Sequence, residues 1–223
     1  MPRDSRPALL FDLDGTMTDP FEGITRSIQY AMEKLGRIAP AAEDLRWCIG
    51  PPLVDAFKIL LETDEEAAPN QAILFYRERY MTIGKFENRL IDGIPRVLET
   101  LVEDGYRLIV ATSKPRSYTH DILDHFDLAR HFDAVHGAEF DGTNSKKADL
   151  IRHIVREERV EPASAIMIGD RSHDIVGARA NEVASIGVLW GYGDRAELEG
   201  AGATLIAERP EDLPSHAERM KPR

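Results

Sequence analysis

Short apolar runs that alternate with helical patterns constrain the fold of this chain more than any other feature. The apolar runs span residues 8–13, 107–112, 134–136, 165–169, 184–189 and 204–207. Between them, residues 94–102 and 147–157 carry apolar side chains at a spacing that places them on one helical face. Short, continuously apolar strands that alternate with helices are typical of a parallel sheet covered on both faces. We therefore predict an α/β protein built on a Rossmann-like parallel sheet.

A wholly helical region interrupts this alternation after the first strand. Residues 24–35, 54–61 and 70–83 show helical apolar spacing, with no strand pattern between them. An insert of about 70 residues is too long for a loop in a compact domain. We therefore expect an α/β core of residues 1–19 and 89–223, and a small all-helical cap domain of residues 20–88 inserted after the first strand.

Composition excludes several classes of function. The formal net charge of −11, with no Lys/Arg-rich face, argues against nucleic acid as a partner, and an anionic substrate would need a locally positive site. The single cysteine, Cys48, excludes an internal disulfide and is predicted to be a packed cap residue rather than a nucleophile. No apolar stretch approaches ~20 residues and residues 1–7 lack a signal-peptide apolar region, so we expect a cytoplasmic protein without membrane contact. The charged residues 209–223 are expected to form a short surface helix or a frayed end. The sequence does not distinguish a monomer from a homodimer.

Two carboxylates, Asp12 and Asp14, stand where the first strand stops and are followed by Gly15 at a turn position. If the backbone stays extended, side chains two residues apart lean to the same side. Burying two carboxylates together is costly unless a cation or a shared proton compensates. A strand end followed by Gly favours a ligand site over the alternative, in which Asp12 and Asp14 are loop acids with a capping role only.

Two further clusters offer groups that suit an anion. Thr112 and Ser113 end the second strand before a helix, where hydroxyls and backbone N–H groups bind phosphate but also serve as plain helix caps. Lys146 and Lys147 stand at the start of a helix, where positive charge opposes the helix dipole. A bound anion would account for these lysines, although two solvated surface lysines are the alternative.

A last cluster supplies more carboxylates. Asp170 follows the buried run 165–169, and Asp174 lies four residues later, one helical turn away. Together with Asp12 they could present hard oxygen ligands to a single Mg²⁺, which prefers carboxylates, water and substrate phosphate. Because these clusters all end strands of one predicted parallel sheet, we expect them at the same edge of that sheet.

These motifs, taken together, resemble the haloacid dehalogenase superfamily in its phosphatase branch. The signature segments are Asp-Leu-Asp-Gly-Thr from Asp12, then Thr112, a downstream lysine, and Gly-Asp-Arg-x-x-Asp from Gly169. Residues 49–53, 111–115 and 190–193 resemble in particular the phosphoglycolate phosphatase-like and 5′-nucleotidase-like members. Two departures stand out: Ser113 replaces the Asn of many relatives, and no Pro follows the lysine pair. Lys147 fits the helix pattern best, with Lys146 as the alternative.

The resemblance implies a role for each carboxylate and a fold to hold them. The fold would be the α/β sheet of that superfamily with its helical cap. Asp12 would be the nucleophile that forms an aspartyl-phosphate, and Asp14 the general acid–base. The implied Mg²⁺ ligands are Asp12, the Asp14 carbonyl, Asp170 and, through water, Asp174. The implied phosphate-binding residues are Thr112, Ser113 and Lys147, or Lys146 in its place. The cap residues proposed to read the substrate are Arg46, Gly50 and Pro51.

The resemblance therefore implies a Mg²⁺-dependent phosphate monoester hydrolase that acts on a small phosphorylated metabolite. Phosphoglycolate and a nucleoside 5′-monophosphate are both open as substrates. For a nucleotide, Phe57, Phe75, Tyr76 and Tyr80 could form an aromatic platform in the cap, although their helical spacing is more typical of core. The alternatives are a phosphomutase of the β-phosphoglucomutase type and, in another class, a non-catalytic phosphate-binding or regulatory protein.

Overall fold

A computed structural model describes residues 6–221. Parts of the predictions made for the two ends of the chain fall on residues 1–5 and 222–223, which lie outside the described residues. The chain divides into two compact units. One runs to Asp19 and resumes at Leu90, and the other is Pro20–Arg89.

The first unit contains a parallel sheet with the strand order β5-β4-β1-β6-β7-β8. The strands of residues 6–221 are β1 (Ala8–Phe11), β2 (Thr18–Asp19), β3 (Arg89–Leu90), β4 (Arg107–Pro115), β5 (Ala134–Ala138), β6 (Ala165–Gly169), β7 (Ala184–Val188) and β8 (Leu205–Ala207). Each neighbouring pair within the six-stranded sheet is parallel. The predicted α/β fold is therefore confirmed.

Both faces of the central strand β1 are buried, as expected for a parallel sheet. Leu9 and Phe11 pack into one apolar cluster, and Ala8 and Leu10 pack into the other. This division follows from the period of two in an extended strand. It explains why β1 is apolar at every position instead of alternating.

Helices cover the sheet and make up the second unit. The α-helices of residues 6–221 are α1 (Phe21–Lys34), α2 (Leu53–Leu60), α3 (Ala67–Tyr80), α4 (Ile94–Glu103), α5 (Arg116–His125), α6 (Lys147–Glu157), α7 (Ser172–Arg179), α8 (Arg195–Ala201) and α9 (Leu213–Met220). The predicted limits of α6 agree with the structure, whereas the pattern at residues 70–83 is displaced by three residues from α3. The observed α9 lies within the charged segment 209–223.

The second unit is built from α1, α2 and α3. Phe57, Tyr76 and Tyr80 are buried in it, with an edge-to-face contact between Phe57 and Tyr76 and stacked rings for Tyr76 and Tyr80, whose centroids lie 5.1 Å apart. These three rings are core side chains and leave no open face for a nucleobase. Glu87, near the end of the second unit, is hydrogen-bonded to α3 and α1. Its carboxylate accepts hydrogen bonds from Arg79 at 2.6 and 2.9 Å, and its carbonyl accepts one from the Gly23 N–H.

Among residues 6–221, no helix combines the length and the apolar character that crossing a membrane requires.

The buried Cys48 gives a first test of this packing. Burial raises the pKa of its thiol to about 12, so that the reactive thiolate is scarce at neutral pH. We expect no reaction of the native protein with Ellman's reagent at pH 8, and the release of one equivalent of thionitrobenzoate after unfolding in guanidinium chloride. Rapid labelling of the native protein would contradict this packing of the second unit.

Candidate active site

The chain turns sharply where β1 ends, and this turn places Asp12 and Asp14. The Asp12 N–H continues the sheet by donating to the Ile168 carbonyl at 2.9 Å. The Leu13 carbonyl then accepts from the N–H groups of Met17 and Thr18 at 2.9 and 3.1 Å. Gly15 occupies the left-handed region at φ +83°, which disfavours a side chain. The first strand therefore ends at Phe11, directly before Asp12, and the apolar run of residues 8–13 extends two residues beyond it.

Asp12 meets two other carboxylates at this edge of the sheet. Asp170 follows β6 directly, and Asp174 lies in the first turn of α7, where its Oδ2 accepts from the Arg171 N–H at 3.1 Å. One carboxylate oxygen from each of Asp12, Asp170 and Asp174 lies within 4.8 Å of the others, and all three residues are buried. Phe11 pairs with Ile168 in register, which brings the ends of β1 and β6 to the same level.

Lys147 contacts two of these three carboxylates. Its Nζ lies 2.9 Å from Asp12 Oδ1 and 2.8 Å from Asp174 Oδ1, and it donates to the Ala111 carbonyl at 2.8 Å. Burial alone would lower the pKa of Lys147, but the charges of Asp12 and Asp174 outweigh burial and raise it above its usual value. Lys146, the alternative, is exposed.

A second lysine, Lys114, pairs with Asp14 and was not predicted as a site residue. Its Nζ lies 2.7 Å from Asp14 Oδ2, and both side chains are largely buried. Asp14 Oδ1 is buried and accepts no hydrogen bond from the residues that the structure describes. Burial raises the pKa of Asp14, and the ion pair with Lys114 offsets this only in part.

The sequence did hold a signal for Lys114. The predicted second strand stopped at residue 112, whereas β4 continues to Pro115. In an extended strand, residues 112 and 114 share a side. Thr112 is buried, and its Oγ1 accepts from the Lys114 N–H at 3.2 Å. Ser113 is half-buried.

The electrostatics of this edge fit a divalent cation. Burial, followed by the charges of Asp12 and Asp174, raises the pKa of Asp170 well above its usual value. Burial also raises the pKa of Asp174 to about 6, despite the opposing effect of Lys147. Two lysines lie among the four carboxylates and form ion pairs with Asp12, Asp14 and Asp174, which leaves two negative charges in excess when all the groups are ionised. Clustered carboxylate oxygens with an excess of two charges suit Mg²⁺, a hard cation.

The residues predicted to recognise the substrate lie in the second unit. Arg46 belongs to the short 3₁₀ helix Glu43–Cys48, is exposed, and places its guanidinium 5.9 Å from the centroid of the Phe21 ring. Gly50 has φ +106°, and Pro51 follows it shortly before α2. Their part in substrate recognition stays a prediction.

This chain is similar to known proteins in sequence and in structure. A family model described as haloacid dehalogenase-like hydrolase matches residues 9–188. The 5′-nucleotidase of Pseudomonas aeruginosa is 49% identical over 192 residues, which are 86% of each chain. Tyrosine-protein kinase PtkA of Mycobacterium tuberculosis is 36% identical over 207 residues, which are 92% of this chain and 69% of that protein. The crystal structure of a predicted phosphatase from Clostridium acetobutylicum has a TM-score of 0.91 at 41% identity and covers 96% of this chain and 99% of its own. The resemblance seen in the motifs is thus confirmed, and the chain belongs to the haloacid dehalogenase-like hydrolase family.

Proposed function

We propose that the protein is a Mg²⁺-dependent phosphatase that hydrolyses a small phosphate monoester through an aspartyl-phosphate on Asp12. The observation that carries this proposal is the buried cluster of Asp12, Asp170 and Asp174, in which Asp12 and Asp174 also pair with the Lys147 ammonium. The similarity to the P. aeruginosa 5′-nucleotidase supports a nucleoside 5′-monophosphate as the first substrate to test. Phosphoglycolate is the second.

Asp12 is the nucleophile in this proposal. One of its oxygens attacks phosphorus in line with the ester bond, a P–O bond to Asp12 forms, and the bond to the leaving alcohol breaks. A carboxylate nucleophile has no proton to lose in this step and therefore needs no general base to activate it. The cation, when bound by Asp12, Asp170 and the Asp14 carbonyl, would screen the repulsion between the nucleophile and the phosphate. Asp174 would contribute through water and by holding Lys147.

Asp14 transfers the protons. It gives a proton to the leaving oxygen, and its carboxylate then takes one from the water that attacks the phosphoenzyme, so that inorganic phosphate leaves and the Asp12 carboxylate is restored. The elevated pKa of Asp14 increases its protonated fraction near neutral pH. Lys114 holds Oδ2 and leaves Oδ1 for this exchange.

Phosphate binding is assigned to Lys147 and to the end of β4. The Lys147 Nζ is adjacent to the nucleophile, where it can pair with an oxygen of the incoming phosphoryl group. Thr112 and the N–H groups near Asp14 and Ser113 are the remaining donors. Residues 20–88 are proposed as the cap that recognises the leaving group, with Arg46, Gly50 and Pro51 as its first positions to vary. Cytoplasmic location stays a prediction from the sequence, which left a monomer and a homodimer both open.

A phosphate-release screen tests the function directly. Purified protein is incubated with nucleoside 5′-monophosphates, phosphoglycolate and sugar phosphates, with Mg²⁺ or with EDTA. We expect Mg²⁺-dependent release of inorganic phosphate, strongest for a nucleotide. Isomerisation of a sugar phosphate with little phosphate release would instead identify a phosphomutase. Phosphate binding without turnover of any ester would identify a non-catalytic protein.

Replacement of Asp12 by Asn tests the nucleophile. The amide is a far weaker nucleophile than the carboxylate, so we expect Asp12→Asn to abolish both phosphate release and the hydroxylamine-sensitive phosphoenzyme in acid-quenched samples. Asp149→Asn, at an exposed acid of α6, is the matched control and should retain both. Mg²⁺-dependent turnover by Asp12→Asn would refute the assignment.

Replacement of each lysine by alanine separates Lys147 from Lys146. Lys147→Ala leaves Asp12 and Asp174 without their shared cation, so we expect kcat/KM to fall by at least about 100-fold. Breaking such a buried pair also costs about 3–5 kcal/mol in the free energy of unfolding, measured with urea in EDTA. Lys146→Ala should stay close to the wild type in both measurements. A larger loss in Lys146→Ala would move the role by one residue.

Replacement of Lys114 by Met tests its support of Asp14. Without the ion pair, the Asp14 carboxyl group loses its fixed orientation. We expect single-turnover alcohol release from an alkyl phosphate to fall by about 100-fold or more, within the range of general acid catalysis. Release from p-nitrophenyl phosphate should fall much less, because p-nitrophenolate leaves without a proton. Asp14→Asn should show the same pattern, and equal losses for both esters in Lys114→Met would contradict this role.

A further inference from the structure

The segment Trp190–Gly193, which we name the aromatic loop, connects β7 to α8 and contacts one of the carboxylates of the site. The Tyr192 N–H donates to Asp170 Oδ2 at 2.7 Å, and the Gly193 N–H donates to the Asp170 carbonyl at 3.1 Å. The loop thus fixes both the backbone and the carboxylate of Asp170. Because Oδ2 is engaged, the orientation of the other oxygen, Oδ1, is set as well.

The same loop is hydrogen-bonded to the turn that follows β1. The Trp190 indole N–H donates to the Thr16 carbonyl at 3.0 Å, and the Tyr192 hydroxyl donates to Asp19 Oδ1. Both acceptors lie on the short segment that begins with Asp14. Residues from β7–α8 therefore hold two parts of the site that are far apart in sequence.

Packing at the centre of the loop leaves no room for a side chain. A Cβ on Gly191 would lie 2.4 Å from Asp170 Oδ2 and 2.5 Å from the Gly15 carbonyl. The loop therefore lies directly against both the metal-site carboxylate and the turn. Any displacement of the loop at Gly191 has to move one of them.

We propose that the aromatic loop is a positioning element of the metal site, in which the Tyr192 main chain orients Asp170 and the Tyr192 hydroxyl fixes the Asp14-bearing turn relative to it. This inference rests on the proposed function. It assigns no contact with substrate to Tyr192. Hydrogen-bond partners that orient a metal ligand typically contribute 10–100-fold to metal affinity or activity. The proposal has two parts that depend on different contacts: the Tyr192 N–H bond to Asp170, and the Tyr192 hydroxyl bond to Asp19. Single substitutions can therefore test them separately.

Two variants each disturb one of the contacts of the aromatic loop, and a third variant serves as the control. Gly191→Ala forces a methyl group against Asp170, whereas Tyr192→Phe removes only the hydroxyl contact to Asp19 and keeps the N–H bond to Asp170. Gly200→Ala, in α8, places its methyl group where nothing lies within 4 Å. Mg²⁺ alone is titrated into each metal-free protein by calorimetry, with Asp170→Asn as the reference for loss of the site. Amide hydrogen exchange of residues 14–19 is followed in EDTA.

We expect Gly191→Ala to weaken Mg²⁺ binding by about tenfold or more, in line with the loss of ligand orientation. Tyr192→Phe should keep the wild-type Mg²⁺ affinity, exchange faster at residues 14–19 without metal, and lose about tenfold in kcat. Gly200→Ala should match the wild type throughout. Wild-type Mg²⁺ affinity in Gly191→Ala, or unchanged exchange in Tyr192→Phe, would overturn the inference while leaving the phosphatase proposal intact. Failure of the wild type itself to bind Mg²⁺ or to hydrolyse any ester would instead defeat the proposed function.

Discussion

The position of the Lys147 ammonium between Asp12 and Asp174 is the interaction on which the rest of the site depends. Carboxylates brought this close together repel each other, and burial removes the water that would screen them. Lys147 offsets part of that repulsion and is itself kept charged by it. The pair is therefore mutually supporting: each partner would be costly in this position without the other.

The sheet explains how residues so distant in sequence reach this arrangement. In the order β5-β4-β1-β6-β7-β8, β1 lies between β4 and β6, so the end of β1 that carries Asp12 lies between β4 and the end of β6 that carries Asp170. At such a position the connections leave the sheet in opposite directions, which opens a crevice at the carboxyl ends of the strands. The α6 helix then brings Lys147 to the same edge. The sheet topology thus brings the charged groups together. The apolar side chains of β1, buried on both faces, hold the strand that ends at Asp12, the proposed nucleophile.

How much the sequence could predict depended on whether a signal was local. Strand ends identified Asp12 and Asp170 because an apolar run that stops at a carboxylate is visible without any tertiary information. Lys114 was missed because the segment after Thr112 was interpreted as a helix start, although it is the last part of a nine-residue strand. The contacts of Tyr192 were beyond prediction, since they depend on the register of β7 against β6 and on the turn after β1. The helical unit could be predicted because apolar periodicity is visible in the sequence. The contact of Tyr76 with Phe57 could not, because it depends on how α2 and α3 pack together.

The two lysines give the two central acids different surroundings, and this difference is what a two-step phosphoryl transfer requires. Asp12 shares its lysine with Asp174, within a group of carboxylates that suits a cation. Asp14 has Lys114 as its ion-pair partner and keeps one buried oxygen free of hydrogen bonds from the described residues. One environment favours a charged nucleophile beside a metal, and the other favours a carboxyl group that can gain and lose a proton. Because β1 and its turn carry both acids, the proposed difference in their roles arises from the lysines that β4 and α6 place beside them.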